Sequence, residues 1–140
     1  MSESDALIED EPKIVTGDQA RRAAKWFNYG TMASLLLPLP LMIFWTGMSM
    51  LVYALNRHHP NPKVGHYTQQ AAYRFYGVAG TLVVVANFFP VDWRYYVGAW
   101  VIGALILLPW SIIDLIRINR DTWVDCVVQP EPTFEDSQER

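Results

Sequence analysis

The chain has 140 residues, 51% of them hydrophobic, with 11 Lys and Arg against 14 Asp and Glu for a net charge of -3. That length suits one domain, and the lack of a basic excess argues against nucleic acid as a partner. A single cysteine, Cys126, excludes an intramolecular disulfide and a cysteine-based metal cluster within one chain.

The acidic residues concentrate in the two ends, before residue 19 and after residue 120, while three internal stretches carry no charge at all. These run from Trp26 to Asn56, from Phe75 to Val91 and from Tyr95 to Ile113. Their lengths match a bilayer core of about 30 Å crossed at ~1.5 Å per residue, and they lack the polar stripe of a soluble helix. The predicted fold is all-α, an integral membrane helical bundle with three hydrophobic segments at about 31–55, 71–89 and 95–116. The membrane domain spans 18–128, between acidic disordered tails at 1–17 and 129–140. The first ten residues are acidic and lack a basic lead-in, so the first segment is expected to direct insertion.

Thr16 and Gln19 have the spacing of a capping box, which predicts a helix start there. Ala20, Ala23, Ala24 and Phe27 share one face of that helix. Arg21, Arg22 and Lys25 are placed against lipid headgroups, just ahead of Trp26, Phe27 and Tyr29. In the segment 31–55, Pro38 and Pro40 oppose a continuous helix, so a break is expected. The break is either a structural kink or the mark of a transport site, in which case Thr31, Ser34, Thr46 and Ser49 would line a cavity with Asp114.

Residues 56–70 form the longest polar passage between apolar segments and hold all three histidines, His58, His59 and His66. Imidazoles suit zinc, copper or iron. Adjacent His58 and His59 point apart in a loop, however, Pro60 and Pro62 limit closure, and the loop has no Asp, Glu or Cys as a fourth ligand. No metal, haem or other cofactor is expected. Arg57, Lys63 and Arg74 are instead placed at lipid phosphates. Within this passage Pro62-Lys63-Val64, His66, Gln70-Ala71 and Phe75 lead into the second segment. The pattern resembles a family of small bacterial membrane proteins of unknown function, related to the small channel-like subunit of the chloroplast inner-envelope translocon. Gln70 stands where that family has Glu, and Gly65 where it has an acidic residue. The resemblance implies a three- or four-helix membrane bundle in the bacterial inner membrane, with no known reaction and no catalytic residue.

In the second segment, Gly77 and Gly80 are candidates for close helix packing, as are Ala99 and Gly103 in the third. Pro90 to Arg94 form a tight turn, so these two surfaces are expected to face each other within one chain. Asn87 is expected to cap or hydrogen-bond at the interface, and Pro109 to kink the third segment. Asp114 is expected to pair with Arg117 one turn on, at the membrane surface with Arg120. Thr122 to Val128 is rich in β-branched residues and is expected to be extended, lying on the membrane or a partner.

Topology stays open between two arrangements. Three full crossings put Lys13, Arg21, Arg22, Lys25 and Arg94 on one side, and Arg57, Lys63, Arg74, Arg117 and Arg120 on the other. A re-entrant first segment gathers all of these except Arg94 on one side, a strong positive-inside bias. The functional expectation is a small multi-pass protein that is not an enzyme. It acts as a scaffold or accessory subunit through membrane lipid and other membrane proteins. The rivals are a transporter or channel subunit using the broken segment and Asp114, and a metal-dependent membrane enzyme or electron-transfer subunit using the loop histidines.

Overall fold

A computed structural model describes residues 12–128. The elements are β1 (Ile14–Val15), α1 (Gly17–Leu36), α2 (Pro38–Arg57), α3 (Pro62–Phe88), α4 (Trp93–Arg120) and β2 (Cys126–Val127). The fold is all-α apart from the two-residue strands. The region expected to hold three hydrophobic segments contains four helices. One of them, α4, is long and apolar enough to cross a membrane.

Each helix start has a chemical cause. At α1 the capping box forms as spelled in the sequence: Thr16 Oγ1 accepts from Gln19 N at 3.3 Å, and Thr16 N donates to Gln19 Oε1 at 3.1 Å. Asn61 Oδ1 accepts from Lys63 N at 3.1 Å to cap α3, and Asp92 Oδ1 accepts from Arg94 N at 3.0 Å to cap α4. Pro38 opens α2 in the first turn, where its missing N–H leaves no bond unmade. The break at Leu-Pro-Leu-Pro is therefore a reversal and not a kink. Leu37 alone lies outside the helices (φ −131°, ψ 88°), and the segment 31–55 divides between the end of α1 and the length of α2. Pro109, expected to kink α4, lies inside one continuous helix.

The helices run alternately up and down. Asn56 Nδ2 at the end of α2 donates to Ala23 O at 3.2 Å, and Trp45 Nε1 near its middle donates to Thr31 Oγ1 at 3.2 Å, so α1 and α2 are antiparallel. Gly30 allows this approach, since a Cβ there would run into the Trp45 ring. Ser49 Oγ and Tyr76 Oη share a 2.9 Å hydrogen bond, which with Asn56 Nδ2 to Thr68 Oγ1 at 3.3 Å sets α3 antiparallel to α2. One core of Phe27, Leu35, Ala71, Ala72, Phe75 and Leu107 lies at mid-bundle. A second, of Ala20, Ala24, Val64 and Ile118, lies toward the end that carries both β strands.

At 1.5 Å per residue, α1 and α2 are about 30 Å long and α3 and α4 about 40 Å. Trp100 Nε1 donates to Leu35 O at 3.2 Å, so the tip of the α1–α2 hairpin stops level with Trp100. Beyond it the α3–α4 hairpin projects alone, and Val83 to Gly98 are exposed except for Val85 and Asp92.

Two short sequences expected to be unpaired meet at the opposite end. Ile14 and Val15, assigned to the N-terminal tail, pair antiparallel with Val127 and Cys126. The extended segment 122–128 is thus held by its own chain. Residues 1–11 and 129–140, the remainder of the expected tails, lie outside the described residues.

Candidate functional site

The strongest chemical feature is a polar cluster buried between α1, α3 and α4. Asp114 is fully buried, and its Oδ2 accepts a short charge-assisted hydrogen bond from Arg74 of α3. The expected partner, Arg117, stands 4.0 Å from Asp114 Oδ1 with a side chain 55% exposed, so the principal pair is Arg74–Asp114. Helix geometry explains the correction. Cα–Cβ bonds tilt toward a helix's own N-terminus, so in antiparallel helices Arg74 leans toward the strand-bearing end while Asp114 leans away from it, and the two converge. The Arg74 guanidinium lies 4.5 Å from the centre of the Trp110 ring, a cation–π contact.

Beside this pair, Asn28, Thr31, Ser111 and Asp114 line a cavity of about 10 Å³, the room one water occupies. Asn28 Nδ2 and Asp114 Oδ1 are both buried without a protein partner, a donor and an acceptor that one water can bridge. Asn28 was not singled out from sequence, yet it follows Phe27 on the face bearing Ala20, Ala24 and Thr31, which was the signal available. Further along the bundle Ser34 and Ser49 are buried, with Ser34 Oγ donating to Thr31 O at 2.7 Å.

The histidines do not converge. His58 follows α2 and is exposed, His59 Nδ1 accepts from Asn61 N at 3.1 Å, and His66 Nε2 lies 3.2 Å from Gln70 Nε2. Among the described residues no group of three or more His, Cys, Asp or Glu is placed to hold a metal ion. Partial burial lowers the His59 pKa, an effect opposed by its bond to Asn61.

The basic residues assigned to lipid headgroups separate into two sets. Arg22, Arg57, Arg117 and Arg120 are exposed and Lys25 is half-buried, whereas Arg21 bonds Asp18 at 2.8 Å and Arg74 bonds Asp114 with a quarter of its side chain still exposed. Lys63 is likewise held inside the chain. Its Nζ donates to Asp121 Oδ1 at 2.6 Å and to Thr122 O at 2.7 Å, while Tyr67 Oη donates to Asp121 Oδ2 at 3.0 Å. Trp123 packs on Tyr67, and Gly17 N donates to Asp125 Oδ1 at 2.6 Å, so this clasp fixes the β2 segment over the start of α1.

The Lys63 hydrogen bond holds the Asp121 carboxyl below its ordinary pKa. A depressed carboxylate pKa contributes stability above the unfolded value, and that stability is lost as pH falls through the folded one. Acidification below about pH 4 is therefore expected to free residues 122–128 before the helices melt. Amide exchange checks this: faster exchange at Trp123 to Val128 in acid is expected, and Asp121→Asn should produce it at neutral pH.

Of the expected packing residues, Gly103 is buried, and a Cβ there would stand 3.1 Å from Val78 Cγ1 of α3. Ala99 is half-buried beside it. Gly77 and Gly80 are exposed, with no atom within 4 Å of a Cβ built on either, so they do not form the facing surface. Asn87 takes the hydrogen-bonding alternative, its Nδ2 donating to Val83 O at 2.7 Å within α3. Together the fold and site define a small four-helix bundle with a buried Arg–Asp pair. The chain matches no protein-family model, no curated protein and no solved structure.

Proposed function

We propose that this chain is a multi-pass membrane protein acting as a scaffold or accessory subunit through lipid and protein contacts. The observation that carries the reading is a large polar share of the interior, beside Phe27, Phe75 and Ile118, under a surface rich in large apolar side chains. The interior buries Asn28, Thr31, Ser34, Ser49, Asn56, Thr68, Ser111 and Asp114, while Ile43, Phe44, Val83, Phe88, Ile102 and Leu105 are exposed. Polar side chains inside and large apolar ones outside are what lipid as solvent favours, because interhelical hydrogen bonds and small residues then hold helices together. In the most apolar window of α4, mean hydropathy is 2.1 and only 22% is buried, against the mostly buried core helix of a soluble protein.

In this reading α3 from about Ala71 and α4 cross the bilayer as a hairpin. The α1–α2 hairpin enters and returns on one side, with ~18 Å from Lys25 to Leu37 against a core of about 30 Å. Lys13, Arg21, Arg22, Lys25, Arg57, Lys63, Arg74, Arg117 and Arg120 then share one side and Arg94 alone takes the other, which makes the strand-bearing end cytoplasmic. With the Pro62-Lys63-Val64 resemblance, the membrane is assigned as a bacterial inner membrane. After an alkaline carbonate wash the expressed chain is expected to stay in the membrane pellet. Release into the supernatant would contradict the reading.

A second reading, a small transporter or channel subunit, is favoured by one observation. Of Thr31, Ser34, Thr46 and Ser49, Thr31 alone lines a cavity with Asp114. A cavity of about 10 Å³ has room for a water and not for a larger solute.

A further inference from the structure

We infer that the outer side of the α3–α4 seam binds one anionic phospholipid, its phosphate at Arg74 and Arg117 and one acyl chain in the apolar groove below them. The inference rests on the membrane reading above and deepens it by naming a lipid class and a position.

The groove has a volume of about 140 Å³ and is lined by α3 and α4 alone, with Val78, Thr81 and Val85 on one wall and Ala99, Gly103 and Ile106 on the other. Small residues on α4 create it. Gly103 lets α3 approach at Val78, and Ala99 leaves the space one turn on unfilled. Thr81 Oγ1 donates to Gly77 O at 2.9 Å, so the one hydroxyl on the groove already has its partner and the lining suits a hydrocarbon chain.

Helical spacing puts the arginines at the head of this groove. Arg74, Val78, Thr81 and Val85 follow one another at four, three and four residues along α3. On α4, Arg117, Trp110, Ile106 and Ala99 are separated by seven, four and seven. Both sets are stripes on one helix face. From Arg74 to Thr81 the rise is about 10 Å, so a headgroup at the arginines delivers its chain directly into the groove.

Charge selects the headgroup. Arg74 and Arg117 flank the single carboxylate of Asp114, which leaves one positive charge in excess where the seam meets the headgroup layer. Arg117 makes no side-chain hydrogen bond among the described residues and is 55% exposed, so its guanidinium can turn to a phosphate. The Arg74 side chain is 25% exposed, and Trp110 beneath it supplies the aromatic surface common at headgroup depth. A choline headgroup would bring a third cation beside the two arginines.

The test uses the full chain purified in mild detergent, with native mass spectrometry after addition of phosphatidylglycerol, phosphatidylcholine or inorganic phosphate. One phosphatidylglycerol per chain is expected to be retained, and neither of the others. Arg117→Gln is expected to weaken retention about tenfold through loss of a charge-assisted contact. Ile106→Trp, at an exposed position, is expected to do the same by filling the groove. Equal retention of phosphatidylcholine, displacement of phosphatidylglycerol by inorganic phosphate, or unchanged retention in either variant would overturn the inference. A chain that resists carbonate extraction yet retains no phosphatidylglycerol refutes the lipid site alone, whereas a chain released by carbonate refutes the membrane reading beneath it.

Discussion

Arg74→Met is expected to destabilise the bundle by about 3–5 kcal/mol, since it leaves a fully buried Asp114 carboxylate without its partner. Arg117 cannot replace it without leaving solvent, because its guanidinium stands 4.0 Å away on the same helix and is more than half exposed. Asp114→Leu is expected to cost less, as the Arg74 side chain is already 25% exposed and can move its charge outward. The double variant Arg74→Met/Asp114→Leu should recover most of the loss, because two apolar side chains avoid the burial of either ion. Thermal unfolding in detergent, followed by helicity, measures all three. Equal losses for Arg74→Met and the double variant would mean that the charge pair does not set stability.

The second large effect separates two glycines that look alike in the sequence. Gly103→Leu is expected to destabilise by roughly 1–3 kcal/mol, the usual cost of overpacking, because even a Cβ there stands 3.1 Å from Val78 Cγ1. Gly80→Leu meets open space and is expected to leave the monomer's unfolding temperature unchanged or slightly raised by better helix propensity. If Gly80→Leu lowered stability as much as Gly103→Leu, or shifted a cross-linked dimer to monomer, Gly80 would face a second molecule.

Local chemistry was legible in the sequence and long-range pairing was not. Thr16 and Gln19 identified the start of α1 because a capping box is complete within four residues. The proline pair located the boundary after Leu36, because a missing N–H acts on its own helix. The path of the chain past that boundary depends on whether α2 finds a surface to return along. That surface is set by contacts such as Trp45 with Thr31 and Asn56 with Ala23, which no local pattern encodes. The seam of α3 and α4 repeats the lesson. The turn at Pro90 to Arg94 made the hairpin readable, but which glycine faces inward depends on helix rotation, and Val78 rather than Gly77 turned toward Gly103. Asp114 was recognised as an ionisable group in an apolar segment, yet its partner lies 40 residues away on another helix. The strands at Ile14–Val15 and Cys126–Val127 are too short for any periodicity to register.

The reversal at Leu37 is the claim on which the rest depends, because it decides whether the bundle has an even or an odd number of helices between its ends. Reporters placed ahead of Lys13, after Lys63 and after Val91 test it most directly. Cytoplasmic activity ahead of Lys13 and after Lys63, with the opposite side after Val91, is the expected result. Opposite sides for the Lys13 and Lys63 reporters would mean that residues 31–55 cross the bilayer once, and would contradict the hairpin of α1 and α2.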